Sequence, residues 1–433
     1  MGRKKIVAFT LLFAFTASGC SQTSDPATPV ESTSAPSTEA AEGTNPEYPA
    51  GLKPEPGAEL KVWEGGGVNG QWVEYVTTAF TKTYNIPVKI EVVENGDAPK
   101  KLQTDGPAGL AADVFVAPHD HLGNMASAGL ILPNDEFKEM MQNDFMDSAM
   151  KGVTLGDTLY GFPTGVETYA LYYNKKLVPE PPKTFDELIA IAGKINDPKQ
   201  KTYGLMWEMG NLYYDSAFFQ GFGGYVFGKN GSDAQDIGLN NEASVNALDY
   251  IGKIKTVVPF KKEDVTYDIK EGLFKEGKLA FNINGQAGAA SLEGAVDFGV
   301  IPLPKLPNGE TPKSFLGIRA LYVNSYTKYP QASKLFAHFA SSKEMLAKRF
   351  EISGQLPPRN DLMNDPAIAN DPYAAPFLQQ AASAIAMPSI PEMVNVWGPM
   401  GTAVTQAWNN GGDSKALLDE AVKQIREAIS INK

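Results

Sequence analysis

From about position 58 the apolar residues of this 433-residue chain keep two rhythms in turn. Leu60-Lys61-Val62-Trp63 and Val88-Lys89-Ile90-Glu91-Val92 alternate apolar and polar positions as half-buried strands do. Between them Trp72, Tyr75, Val76, Ala79 and Phe80 fall at the i, i+3, i+4, i+7 and i+8 positions of one helical face, which predicts a strand, helix, strand unit. A third strand at 113–116 runs into His119-Asp120-His121. Thr184-Phe185-Asp186-Glu187 reads as a capping box opening a helix that carries Leu188, Ile191 and Ile195, and a second box is expected at 341–344. Helices at 245–255 and 415–429 carry apolar stripes, and strands at 280–284 and 321–323 lie between them. The alternation predicts an α/β fold with parallel-type crossovers, in which ligands gather at the carboxyl ends of strands. The folded length exceeds one ordinary core and implies two lobes of about 150–200 residues each.

The first 57 positions keep neither rhythm. Arg3-Lys4-Lys5 precedes a short apolar run, and Ala17-Ser18-Gly19 leads into Cys20, the only cysteine. A basic start, an apolar stretch too short to span a bilayer and a small-residue cleavage site predict an exported protein with a signal peptide at 1–19. A cysteine at the cut site can take a lipid, so Cys20 is expected to anchor the mature chain to the extracellular face of the cell membrane. Ala17 stands where such signals usually carry Leu. Positions 20–57, rich in Ser, Thr, Pro, Ala and Glu, bury too little surface to offset ordering entropy and are expected to form a disordered tether.

The net charge of −12 offers no basic face for phosphates, so no nucleic-acid partner is expected. With no cysteine after Cys20, disulfides, thiolate metal sites and cysteine nucleophiles are excluded from the folded part. Gly65-Gly66-Gly67-Val68-Asn69-Gly70 satisfies the dinucleotide-binding spacing, with Glu94 beyond the next strand. An exported, tethered protein has no supply of diffusible nicotinamide, so the simpler reading is glycines that let the backbone approach a ligand and expose amides at a helix start. His119 and His121 could chelate a metal, but no further histidine cluster supplies the other ligands, and no metal or cofactor is expected. Tyr172-Tyr173 and Tyr213-Tyr214 have the look of a ferric-ion tyrosine dyad, and more often such pairs are one core ring and one surface ring. Nothing singles out two carboxylates as the acid and nucleophile of a glycosidase.

Aromatic residues are abundant, and Trp207, Tyr213, Tyr214 and Trp397 stand out beside small residues or in irregular segments. A flat ring beside a carboxylate or amide suits a sugar, whose C–H face stacks while its hydroxyls pair.

The order of local motifs resembles the maltose/maltodextrin-binding protein family, the extracellular solute-binding lipoproteins of carbohydrate ABC importers. It is carried by Leu60-Lys61-Val62-Trp63, Asp113-Val114-Phe115 with His119-Asp120, Tyr160-Gly161-Phe162-Pro163 through Glu167, Leu171-Tyr172-Tyr173-Asn174-Lys175, Pro181-Pro182-Lys183-Thr184-Phe185, Phe281-Asn282-Ile283-Asn284-Gly285 and Met387-Pro388-Ser389-Ile390-Pro391-Glu392-Met393. The last run, extended to Trp397-Gly398-Pro399-Met400, is most like Gram-positive binders of maltodextrin, cyclodextrin and galactan oligosaccharides.

The resemblance implies a periplasmic-binding-protein-like type II fold, two α/β lobes joined by a hinge with a ligand cleft between them. Positions 58–165 and 305–363 would form the N-lobe, 166–304 and 364–433 the C-lobe, with crossings near 165–168, 301–305 and 363–366. It implies a monomer that binds an oligosaccharide without bond making and delivers it to ABC permease subunits in the membrane. A binder of β-galacto-oligosaccharide, or a surface-anchored carbohydrate-active enzyme, is the alternative. Carried over by position, Asp120, Glu167, Tyr213 and Trp397 match sugar-binding residues, and Tyr214 lies beside them. Gly67-Val68, His121, Asn211 and Gly401 stand where the maltose-binding protein has Asp-Lys, Arg, Glu and Arg, and Ala117 and Ala287 replace two tryptophans. Lost rings and cations argue against a maltose preference and for room to take a longer, branched or cyclic sugar.

Overall fold

The computed structural model describes residues 48–431, so Cys20, the signal peptide and most of the expected tether lie outside the described residues. Positions 48–57, expected to belong to that tether, are packed instead: Leu52 is buried, Tyr48 stacks on Tyr84 with ring centroids 5.8 Å apart, and Glu55 accepts hydrogen bonds from the amides of Gln331 and Ala332. Those two amides open the helix Pro330–Ala340, where helix donors lack internal partners and a carboxylate is favoured.

The expected strands form at Leu60–Glu64, Val88–Val92 and Val114–Pro118 and pair in parallel, with Leu60–Glu64 in the middle. The helix between the first two is Gly67–Tyr84, and it buries Trp72, Val73, Val76, Thr77 and Phe80. Tyr75, assigned to that face by periodicity, is exposed, and Lys348 lies over its ring. The face is rotated toward Val73 because a helical side chain leans over the turn N-terminal to its own Cα. The sheet is mixed: Phe315–Val323 runs antiparallel to both Val114–Pro118 and Gly161–Glu167, and the short strand Ile385–Ala386 extends it.

A second sheet has the order Phe298–Ile301, Tyr169–Asn174, Leu279–Gly285, Tyr203–Met206. Only its last pair is parallel. The chain passes from the first sheet to the second between Glu167 and Tyr169 and returns between Ile301 and Phe315. The two passages touch where Thr168 Oγ1 and Ser314 Oγ share a hydrogen bond of 2.7 Å.

The first capping box is present in altered form. Thr184 Oγ1 accepts from the Glu187 amide, but Glu187 reaches back to the amide of Lys183. The second box does not form: Ser342 occupies the N-cap of Lys343–Ser353 without a side-chain bond, and Ser341 donates to the His338 carbonyl of the preceding helix. A serine just after one helix can satisfy that helix instead of opening the next. No described helix is long and apolar enough to cross a membrane.

Candidate ligand-binding site

At the carboxyl ends of the first sheet the chain places charge beneath the surface. Glu64 ends the strand Leu60–Glu64, and Glu167 ends Gly161–Glu167. Arg319, in the otherwise apolar strand Phe315–Val323, donates to Glu64 and has its Nη1 3.6 Å from Glu167 Oε1. Glu64 and Arg319 are buried, while the Glu167 side chain keeps about 29% of its surface exposed. Arg349 completes the group: its guanidinium lies 4.2 Å over the Trp72 ring and donates to the Thr164 carbonyl and to Asn69, each at 3.1 Å. Burial and the like charge of Arg319 pull it down to about 10. Two cations and two carboxylates thus balance, and one of the four, Glu167, reaches solvent.

Opposite them stand three tyrosines. Tyr169 is fully buried and holds the other two edge-on or tilted, with ring centroids 5.2 Å from Tyr213 and 5.2 Å from Tyr214. The helix Leu212–Phe222 aims them, because Asn211 N-caps it by accepting from the Tyr213 amide at 3.1 Å. Burial pushes both phenols well above the ordinary tyrosine range, reinforced at Tyr213 by the charge of Glu167 and, more weakly, of Asp120, and at Tyr214 by that of Glu208. Both remain neutral hydroxyls. Glu167, Tyr213, Tyr214, Tyr267, Asn284 and Gln355 line a cavity of about 220 Å³. Trp397 joins through Phe315, whose ring is 6.0 Å from Trp397 and 6.5 Å from Tyr213.

Of the residues singled out in the sequence, the structure therefore brings Glu167, Tyr213 and Tyr214 together around the cavity and links Trp397 to them through Phe315, while the charge of Asp120 is felt at Tyr213. Asp120 is buried in the turn His119–His121 and accepts no hydrogen bond among the described residues. His121 is half-buried and joins no hydrogen bond, ion pair or ring contact among the described residues. Gly67 is exposed at the head of its helix with φ +60, and no atom lies within 4 Å of where a Cβ would sit. Asn211 is exposed and its carbonyl oxygen is spent on the cap.

Several readings change. Trp207 is fully buried, donates to Asp215 at 2.9 Å and packs edge-on against Trp408, so it belongs to the core and offers no ring to a sugar. Asp215 in turn accepts from the Gly210 amide, and burial raises it to about 7. Ala117 is fully buried across from Ala320 and opens no space, whereas Ala287 borders the cavity. Tyr172 is a core ring whose hydroxyl donates to the Gly285 carbonyl, and Tyr173 points to the other face of its strand, so they form no dyad. His119 spends both ring nitrogens on backbone: Nδ1 accepts from the Ile318 amide at 3.0 Å and Nε2 donates to the Met387 carbonyl at 3.1 Å. The glycine run is occupied as well, the Gly65 amide by Glu64 at 2.8 Å and the Gly66 amide by Glu94 at 3.1 Å. A protein carboxylate thus holds the place a phosphate would need.

Arg319, Glu64, Tyr267 and Lys270 escaped the sequence reading. The available signal was a lone arginine inside Phe315–Val323, because a charge in a buried strand needs a partner. Lys270 is fully buried, with Nζ 3.7 Å from Glu208 and 4.8 and 5.8 Å from the Tyr267 and Tyr214 ring centroids. Burial lowers it to about 8. An unfolded lysine titrates near about 10.4, so between about pH 8 and 10.4 the unfolded chain holds more protons and stability rises with pH. Below that window the cost of the buried charge is fully present. Lys270→Met is expected to raise the melting temperature at pH 7 and to flatten that rise; thermal melts from pH 7 to 10 check both, and identical curves would show the ammonium to be effectively solvated.

A model of the bacterial extracellular solute-binding proteins matches residues 76–376. The chain is 31% identical to a galactooligosaccharide-binding protein of Bacillus subtilis, over 86% of this chain and 90% of that one. It is 29% identical to a maltooligosaccharide ABC transporter solute-binding lipoprotein of Streptococcus pneumoniae, over 86% and 89%. Among solved structures, a cyclo/maltodextrin-binding protein complexed with maltotetraose superposes with a TM-score of 0.74 at 36% identity, covering 90% of this chain and 98% of that one. With two α/β sheets joined by paired crossings, and carboxylates and rings gathered where the chain passes between them, this chain belongs to the bacterial extracellular solute-binding proteins.

Proposed function

We propose that this protein is the substrate-binding lipoprotein of an ABC sugar importer. It takes an oligosaccharide of maltodextrin or cyclodextrin type into a cleft between two lobes and hands it to a membrane permease. The observation that carries this reading is the partly exposed carboxylate of Glu167 sharing a cavity with the neutral phenols of Tyr213 and Tyr214, with Phe315 linking Tyr213 to Trp397. Carboxylates accept charge-assisted hydrogen bonds from sugar hydroxyls, and rings take the C–H face.

In this reading positions 58–165 with 305–363, and 166–304 with 364–433, are the lobes, and the passages at Glu167–Tyr169 and Ile301–Phe315 act as the hinge; the strand Ile385–Ala386, which pairs in the first sheet, lies across that division. A lipid on Cys20 holds a monomer at the outer face of the membrane. The role is capture and release without catalysis.

A second reading, a β-galacto-oligosaccharide ligand, is favoured by the galactooligosaccharide-binding relative. Calorimetric titration with maltose, longer maltodextrins, cyclodextrins and β-galacto-oligosaccharides decides. A longer oligosaccharide is expected to bind at least about tenfold tighter than maltose, a gap of roughly 1.4 kcal/mol. Maltose binding as tightly as any of them would overturn that preference, and breakdown of the titrated sugar would overturn the non-catalytic role.

A further inference from the structure

Lys270 stands in the helix Tyr267–Lys275, fully buried, and its Nζ makes no hydrogen bond among the described residues. Its own helix supplies Tyr267 and Glu271 as neighbours, the helix Leu212–Phe222 supplies Tyr214, and the segment after the strand Tyr203–Met206 supplies Glu208. Glu271 is otherwise engaged, since its Oε1 accepts from the side-chain amides of Asn282 and Asn284 and its Oε2 from the Ser291 hydroxyl. Glu208 stays at 3.7 Å, an ion pair beyond hydrogen-bond reach. What remains to the ammonium is two aromatic faces, Tyr267 at 4.8 Å and Tyr214 at 5.8 Å to the ring centroid.

Both rings, with Asn284, line the cavity of about 220 Å³ that Glu167 borders. Tyr169 braces Tyr214 from behind, but Tyr267 keeps 43% of its surface exposed, so packing does less to fix it. A cation over a ring face attracts the ring, more strongly where water is shut out, so one ammonium ties together rings from two different helices. Burial without a hydrogen bond makes this charge a cost to the fold. Groups that lower stability in this way gather where binding needs them.

We infer that Lys270 is a positioning residue for ligand binding, its charge holding the rings of Tyr214 and Tyr267 where they meet the sugar. This rests on the sugar-binding reading and adds to it a cation that the ligand does not touch.

The test is calorimetric titration of the full folded protein with maltoheptaose and with a β-galacto-oligosaccharide, in wild type, Lys270→Met and Lys270→Arg, at pH 7 and at about pH 9.5, beside thermal melts. Lys270 titrates at about 8, so the higher pH removes most of its charge, while burial keeps Tyr213, Tyr214 and Tyr267 neutral. Wild type is expected to bind its preferred sugar about tenfold more weakly at the higher pH. Asp215, raised to about 7, ionises over part of the same range in every variant, and Lys270→Met measures that contribution. Lys270→Met should bind about tenfold more weakly than wild type at pH 7, change by less than about twofold at the higher pH, and melt no lower than wild type. Weaker binding by a chain that is no less stable is a result that a purely structural lysine would not give. Lys270→Arg, charged at both pH values, should bind equally at the two. Should either variant fail to fold, the wild-type pH profile still decides. Full affinity in Lys270→Met, or sugar binding by wild type that ignores the change in pH, overturns the role of Lys270 and leaves the cavity reading intact. No binding of either sugar by wild type brings down both.

Discussion

Arg319→Leu is expected to lower the unfolding free energy by about 3–5 kcal/mol, because it strands the buried carboxylate of Glu64 without its cation. Burial alone does not make the pair stabilising, since taking two charges out of water offsets most of their attraction. The double variant Glu64→Leu with Arg319→Leu separates these effects: it removes both charges and is expected to recover most of the loss. Denaturant unfolding of the two variants beside wild type is the measurement. If Arg319→Leu unfolded at the wild-type midpoint, Glu64 would have to find water or a proton in the native protein at little cost.

Glu167→Ala is expected to weaken binding of the tightest oligosaccharide by about 1.5–3 kcal/mol for each charge-assisted hydrogen bond lost, or roughly tenfold to a hundredfold in Kd. Its effect on stability should be smaller than that of Arg319→Leu, because Glu167 is partly exposed and Arg319 keeps Glu64. Calorimetry on a variant shown by its melt to be folded separates the two roles. Normal affinity would remove Glu167 from the sugar contacts and leave it only as a partner of Arg319.

The strands and the first helix could be read from the chain because the apolar positions that set the rhythm are largely the ones turned inward: Leu60, Val62 and Trp63 in the first strand and Trp72, Val76 and Phe80 in the helix are buried, and Val88 and Ile90 are half-buried where Lys89 is exposed. Where a neighbour intervenes, the pattern misleads. Ser341 is drawn to the helix before it, and Tyr75 lies a step outside the buried face. Strand direction was also beyond reach, since Phe315–Val323 is buried along its whole length and a run that is apolar but for Arg319 carries no sign of antiparallel pairing.

The candidate site divides in the same way. Asp120, Glu167, Tyr213 and Trp397 were visible through local motifs. The cation behind Glu167 was not, because Arg319 and Glu64 lie 255 positions apart and nothing near either one announces the other. Trp207 was misread for the opposite reason: its partner Asp215 is only eight positions on, yet the bond between them turns the ring inward.

The balance of charge beneath the site bears on the medium the protein works in. Glu64, Glu167, Arg319 and Arg349 sum to zero, and all but Glu167 are buried, out of reach of dissolved ions. The acidic excess of the chain as a whole, a net −12, is therefore carried elsewhere, largely at the surface, where counterions screen it within a Debye length of about 8–10 Å. A neutral sugar enters without changing that sum. Changes in ionic strength thus act on how the protein meets other charged surfaces and leave the grip on the sugar nearly untouched, which suits a receptor facing a medium whose salt the cell does not control.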